Sequence, residues 1–286
     1  MKWLIRFALC PLLCGCVVLT TEPRAVISGP AGSTKVLSLK CEDAERLLQS
    51  SVAVEPTAGN ALRAGPLRVL TWNIHKQSDP GWQHDLARFA AASDVVLLQE
   101  TALDPTLHAI VDDAGLGWVM ASSFLYEDTD IGVLTATRLA PLASCTQRAV
   151  EPIIRIPKSA VITWLRIAGS AQTLAVINVH AINFELLLDA YRAQMVALAD
   201  AVAGHEGPLI LAGDFNTWND ARERVLAETA ARLGLVEVTP SDDTRTRFLG
   251  RHVDHVFVRG LQAVSSESSP VKSSDHNPVT ATFALR

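Results

Sequence analysis

Short apolar runs alternate along this chain with longer stretches in which apolar positions step by three and four. The first kind predicts buried β-strands and the second amphipathic helices. Strands are expected at residues 67–72, 94–98, 131–135, 161–167, 173–179, 208–212, 253–258 and 279–283. Helices are expected at 82–92, 185–203 and 220–233. In the second helix Leu188, Tyr191, Met195, Leu198 and Val202 make one core-facing stripe, so Tyr191 and Met195 are read as core. Strands interleaved with helices predict an α/β layered domain, here over residues 66–286.

Upstream the pattern changes. Pro23, Gly29-Pro30, Gly32, Pro56, Gly59 and Gly65-Pro66 punctuate residues 23–65, which predicts a loosely structured lead-in with one short helix at 42–49. Residues 1–22 read as an export leader: Lys2 and Arg6, an apolar run from Phe7 to Leu19, then a break at Thr20-Thr21-Glu22-Pro23. An apolar run of about 13 residues is short for a membrane span and suits a secretory core. Within it Leu13-Cys14-Gly15-Cys16 resembles the lipobox of bacterial lipoproteins, which implies acylation at Cys16 and attachment to a membrane of the cell envelope. An inactive leader would leave the chain in the cytoplasm. Cys41 and Cys145 are the cysteines outside the leader. They are compatible with one disulfide in an oxidising compartment and are read by default as inert packing thiols.

Polar residues fall at the ends of the predicted strands. Asn73 follows Leu70-Thr71-Trp72, Glu100 follows Val95-Val96-Leu97-Leu98-Gln99, and His180 follows Val176-Ile177-Asn178-Val179. Asp214 and Asn216 follow Leu209-Ile210-Leu211-Ala212-Gly213, Asp254 opens the run into Val256-Phe257-Val258, and Asp275-His276 precedes Asn277-Pro278-Val279. Taken singly, each is an ordinary cap or turn residue. Together they have one simpler cause, strand ends converging on a polar pocket, because buried charge is costly unless paired or coordinated. Carboxylates and carboxamides without thiolates suit a hard cation, Mg²⁺ or Mn²⁺ rather than Zn²⁺. Such a cation can hold a phosphoryl oxygen, and a histidine beside acids can activate water. The set fits in-line attack of water on a phosphate ester.

Composition narrows the class further. Of 286 residues 49% are apolar and 19% charged, with a net charge of -5, which excludes disordered, collagen-like and coiled-coil chains. A chain of this length buries about three quarters of its unfolded surface and can hold a core without disulfides or metal.

Thr71-Trp72-Asn73-Ile74, Leu97-Leu98-Gln99-Glu100, Asn178-Val179-His180-Ala181-Ile182-Asn183, Gly213-Asp214-Phe215-Asn216, Val253-Asp254-His255-Val256-Phe257 and Ser274-Asp275-His276-Asn277-Pro278-Val279 stand in the order found in the endonuclease/exonuclease/phosphatase (DNase I-like) superfamily. The chain resembles that family over about residues 66–286, and most of all an uncharacterised bacterial branch of it. The resemblance implies a four-layer α/β/β/α sandwich, two face-to-face mixed sheets with helices outside and a site at one edge. It also implies roles. Glu100 and Asn73 would bind the metal, with Asp275 as a further ligand or positioning group. His276 would be the water-activating base, oriented by Asp254. Asp214 and Asn216 would hold the nucleophile and a phosphate oxygen, His180 would donate to the phosphate or leaving group, and Asn183 would brace that loop.

From residue 66 onward, 18 Lys plus Arg against 25 Asp plus Glu leave a net -7, which lacks the broad basic footprint of a duplex-DNA binder. Arg155, Lys158, Arg245, Arg247 and Arg251 are candidates for a phosphate-facing rim, Arg251 foremost because it precedes Asp254 by three residues. Trp218 could stack on a base, act as a lid or face a membrane. Lys76 suits either substrate phosphate or solvent. His255 is read as packing, and His75, His84, His108, His205 and His252 as surface or loop groups. The resulting expectation is an exported metal-dependent phosphodiesterase, with a nuclease, acting on nucleic acid, as one form of it and the natural substrate left open. A phospholipid or sphingomyelin phosphodiesterase is the alternative. A non-catalytic binding module on the same scaffold is disfavoured by the intact acid, amide and histidine set.

Overall fold

The computed structural model describes residues 17–20, 23–29, 33–51, 60–63 and 65–285. The predicted acylation site, Cys16, and the rest of its lipobox lie outside the described residues.

Two sheets lie face to face. The first is built from β1 (Val17–Val18), β2 (Arg24–Ser28), β3 (Thr34–Leu37), β4 (Pro66–Asn73), β5 (Val95–Ala102), β6 (Gly117–Tyr126) and β7 (Thr129–Thr137). The chain then makes the second sheet from β8 (Ala143–Val150), β9 (Pro157–Arg166), β10 (Thr173–His180), β11 (Leu209–Asp214), β12 (Val236–Glu237) and, past a small hairpin of β13 (Arg247–Phe248) and β14 (Arg251–His252), β15 (Asp254–Arg259). Finally β16 (Leu261–Ser268) and β17 (Val279–Leu285) return to the first sheet beside β4. The strand orders are β16-β17-β4-β5-β7-β6-β2-β3, with β1 on β6, and β12-β15-β11-β10-β9-β8. The helices are α1 (Cys41–Ser51), α2 (Trp82–Ala91), α3 (Pro105–Asp113), α4 (Asp189–Ala201) and α5 (Asp220–Arg232).

The continuous apolar runs arise because the central strands are covered on both faces. Side chains alternate along a strand, so Val69, Leu97, Val176, Ile210 and Val256 pack between the sheets. Their neighbours Leu70, Trp72, Val96 and Leu98 point outward onto Leu86, Phe89 and Leu107 of α2 and α3. On the other side Ile177, Val179 and Leu211 meet Tyr191, Met195, Leu198, Val225 and Leu226 of α4 and α5. Three apolar layers therefore separate four structural ones, the expected α/β/β/α sandwich, with Tyr191 and Met195 in the core as predicted.

Several elements were not legible. In β6 the apolar run Trp118 to Ala121 is interrupted by Ser122 and Ser123, and β8, with Ser144, Thr146 and Gln147, lacks such a run. α3 is a short helix whose start is set by Asp104, the side chain of which accepts a bond from the Leu107 N–H. α4 begins at Asp189, not 185, because Glu185 folds back to accept bonds from the Ala190 and Tyr191 N–H groups. The lead-in departs most from expectation. β2 extends the first sheet by pairing with β6, and Arg24 binds Asp130 at 2.8 Å. α1 is fixed to β8 by a Cys41–Cys145 disulfide with a Cα separation of 4.9 Å, so the two thiols are not inert packing groups. No helix among the described residues is long and apolar enough to cross a membrane.

Candidate active site

The register of the second sheet assembles half of the site. β10 runs parallel to β11, which pairs His180 with Asp214, and β15 runs antiparallel to β11, which pairs Asp214 with Asp254. Three strand termini thus place imidazole, carboxylate and carboxylate in one row, all buried. Gly213 makes this possible. Its φ is +144°, and a Cβ there would lie 2.0 Å from the Val179 carbonyl oxygen, so only glycine lets β11 approach β10 at this point.

The first sheet contributes by a different route. Asn73 closes β4, and its amide donates to Asp214 Oδ2 at 3.0 Å across the gap between sheets. Its Oδ1 accepts from the His75 N–H at 3.0 Å. Glu100 sits where the β5–β7 pairing slips between Leu98 and Thr101, with φ of +49°. A non-glycine residue there costs on the order of 1–3 kcal/mol, and such strain concentrates at functional positions. The slip turns the Glu100 carboxylate toward Lys76, with which it pairs, and to 3.7 Å from His180 Nε2.

His276 arrives on the loop before β17. Ser274 Oγ donates to the Asn73 carbonyl at 2.7 Å and accepts from the His276 N–H at 3.1 Å, while Trp72 Nε1 donates to the His276 carbonyl at 2.9 Å. The ring is thereby held with Nδ1 2.8 Å from Asp254 Oδ2 and Nε2 3.9 Å from Asp214 Oδ2. Asp214, Asp254 and His276 place one ligand atom each within 4.8 Å of one another. Asn216, with φ of +50°, donates its N–H to Asp214 Oδ1 and its amide to the Ala181 carbonyl, both at 3.0 Å.

The electrostatics are sharply divided. Burial works against a charged His276, but Asp254, Asp214 and Asp275 outweigh it and raise the ring to about 10. Burial and the neighbouring Lys158 push His180 the other way, down to about 4, against the pull of Asp214 and Glu100. His180 is therefore neutral at pH 7, with Nε2 2.7 Å from Lys158 Nζ. Burial also lowers the Lys158 ammonium, against Glu100, Glu151 and Asp214. At Glu100 burial is overcome by His180, Lys76 and Lys158, which hold the carboxyl well below the usual range.

The remaining predicted site residues divide. Asp275 is exposed at the rim, 3.9 Å from His75 Nδ1, apart from the buried cluster. Asn183 braces its loop: its Oδ1 accepts from Trp218 Nε1 at 2.9 Å and its carbonyl from Arg222 at 2.8 Å. Trp218 is consequently half-buried, with the Arg222 guanidinium 4.8 Å above its ring. Lys158 joins the site through His180. Arg251 does not face the site as a spare cation, because Asp220 and Glu223 at the start of α5 pair with it. Arg245 is likewise bound by Asp243 and Glu237, and Arg247 lies 3.0 Å from His252 Nε2. His255 packs as expected, bonded to Glu237 and stacked on Phe257.

Sequence reading gave no role to Gln99 and Asn178, which bond at 2.6 Å across the sheets directly beneath the site. Asn178 also donates to the Leu134 carbonyl at 2.9 Å. The signal was present, since each is a polar residue inside an otherwise apolar strand, where a buried amide needs hydrogen-bond partners.

The donor set fits a divalent cation. Glu100, Asp214 and Asp254 offer carboxylate oxygen, the preference of hard cations, with the Asn73 amide and one His276 nitrogen beside them, and acids outnumber the lysines around them.

Comparison with known proteins places the chain in a family. The Endonuclease/Exonuclease/phosphatase family profile matches residues 70–276. A UPF0294 protein of Klebsiella pneumoniae is 38% identical over 248 residues, 85% of this chain and 93% of its own. Among solved structures, the human Nocturnin catalytic domain with bound sulfate superposes with a TM-score of 0.60 at 18% identity, covering 77% of this chain and 95% of that one. A mannosyl-6-phosphatase of Bacteroides thetaiotaomicron superposes with a TM-score of 0.59 at 14% identity, covering 77% and 100%. The two structures share the fold; the profile match spans most of the chain, which belongs to the endonuclease/exonuclease/phosphatase family.

Proposed function

We propose that the chain is a divalent-metal-dependent phosphodiesterase in which water activated by His276 attacks phosphorus. The observation that carries this reading is the His276–Asp254 pair at 2.8 Å, with the free Nε2 turned toward Asp214. Asp254 fixes a proton on Nδ1 and orients Nε2 toward the site, the arrangement from which the ring acts as a general base once it is neutral. Asp214 and Asn216 hold the water and a phosphate oxygen. Lys158, behind neutral His180, supplies positive charge where the phosphate gains negative charge.

Glu100, Asn73 and Asp214 would hold the cation, Mg²⁺ or Mn²⁺. Bound there it would polarise a phosphoryl oxygen and offset the carboxylates that keep His276 charged. Asp275, at the rim, is in place to steer the ring or the entering ester and not to complete the buried donor set.

The test is a metal-supplemented screen of the purified chain on bis-p-nitrophenyl phosphate, single- and double-stranded DNA, RNA, sphingomyelin and other phospholipids, with His276→Ala as the blank. Hydrolysis of a diester by the wild type alone supports the reading. Turnover by His276→Ala equal to the wild type would refute it.

A further inference from the structure

Two loops beside the site have their polarity turned inside out. The β8–β9 loop buries Glu151 completely, at 0% exposure, yet leaves Ile153 55% and Ile154 42% exposed at its tip. The loop from β10 to α4 buries the side chain of Glu185, 3% exposed, and leaves Phe184 50%, Leu186 93% and Leu187 69% exposed. Ordinary surface loops do the reverse. Here the carboxylates are spent on the loops' own backbones. Glu151 accepts from the Asn183 and Phe184 N–H groups at 2.9 and 2.7 Å and so locks the two loops together. Glu185 does the same for the first turn of α4. The result is a joined apolar projection held in place by buried charge.

Its shape and chemistry select the partner. The tips are turns and bends whose exposed apolar side chains are Ile153, Ile154, Leu186 and Leu187 with Phe184, and whose one cation is the exposed Arg155. The Trp and Tyr that anchor protein interfaces are absent from both loops. A fluid acyl layer needs no complementary pocket and accepts Leu, Ile and Phe directly. Beyond Arg155 on the first tip, charge adds little attraction, because residues from 66 onward carry 18 Lys plus Arg against 25 Asp plus Glu and the rim arginines 245 and 251 are paired with acids. The projection is continuous with the site: Glu151 lies 3.8 Å from Lys158, which lies 2.7 Å from His180.

We infer that these two loops form a wedge that inserts into a lipid bilayer and sets the mouth of the site against the lipid headgroups. The docking stands apart from the hydrolysis. Its corollary, that the ester reached from there is a phospholipid headgroup, rests on the function proposed above.

The test places a photo-crosslinking benzoylphenylalanine at position 187, 153 or, as a control on edge strand β16, 264, in the full chain mixed with neutral phosphatidylcholine vesicles. Lipid adducts are expected at 187 and 153, at low and high salt alike, and not at 264, although Val264 is 64% exposed. Leu186→Asp with Leu187→Asp is expected to lower adduct yield at 153 at least about tenfold, the scale of one buried leucine. Labelling at 264 equal to that at 187, adducts to a second copy of the chain in place of lipid, or a yield at 153 untouched by the aspartates would each overturn the wedge. Hydrolysis of soluble bis-p-nitrophenyl phosphate is followed in the same samples. Turnover without labelling at 187 defeats the docking alone, and labelling without turnover defeats the catalytic reading alone.

Discussion

The two sheets supply the site in different ways. In the second sheet His180, Asp214 and Asp254 are register partners on three adjacent strands, so ordinary pairing puts them in a row. In the first, Glu100 reaches the same space only because the β5–β7 ladder slips and its backbone turns left-handed. One half is built by regular structure and the other by a local departure from it. A regular row is rigid and costs little, whereas a strained bulge aims one side chain where the pleat would not. His276 then bridges them, tied to β4 through Ser274 and Trp72 and to β15 through Asp254.

If the two halves serve one cation, its removal has the largest effect. EDTA is expected to abolish diester hydrolysis and Mg²⁺ or Mn²⁺ to restore it; recovery with Zn²⁺ alone would contradict a site of oxygen donors. Next comes the bridge. His276→Ala is expected to lower kcat/KM by at least about a hundredfold, the scale of a general base, with thermal stability measured in parallel to show the fold intact.

The second sheet's row should not depend on the clamp at its edge. Cleaving the disulfide, or Cys145→Ser, is expected to lower unfolding free energy by about 2–4 kcal/mol in denaturant titration while leaving kcat of the folded protein unchanged. A matching loss of kcat would mean that the clamp helps to position the row.

The same row predicts a pH signature. Unfolded His180 takes up a proton near its ordinary value of about 6.5. The folded residue does so only at about 4. Between these values the unfolded chain binds the extra proton, so stability declines as pH falls from about 6.5 to about 4. His180→Gln should flatten that part of the stability-against-pH curve, and an unchanged slope would show that His180 is not held neutral. The smallest effect belongs to the bulge. Glu100→Gly and Glu100→Ala both lose the carboxylate and its ion pairs, but only glycine relieves the left-handed backbone, so the glycine variant is expected to be about 1 kcal/mol more stable than the alanine one while both are inactive. Equal stability of the two variants would remove the claim that strain is stored there.

These contrasts also explain how far the sequence could be read. Asn73, Asp214, Asp254 and His276 were legible because strands covered on both faces leave long apolar runs, against which a terminal acid, amide or imidazole stands out. The slip at Glu100 was not, since nothing in Leu97-Leu98-Gln99-Glu100 distinguishes a bulge from a straight strand end. Glu151 was missed because its role, binding the backbone of a loop more than thirty residues away, depends on tertiary contact alone. Arg251 failed as a rim cation for the same reason, its partners Asp220 and Glu223 lying on a helix the local sequence does not reveal as a neighbour. The lead-in reads as loose because β2 and β3 are short, β2 gaining its partner from distant β6 and β3 pairing on β2, and α1 gains its place from a disulfide to β8.

The most direct measurement is a double-mutant cycle across the sheets, with Glu100→Gln and Asp214→Asn, singly and together, assayed as kcat/KM on bis-p-nitrophenyl phosphate at saturating Mg²⁺. Groups that act as a unit lose their effect together, so the double variant is expected to be about as slow as the slower single one. Losses that simply multiply would show that the two sheet ends act separately, and would contradict a single site.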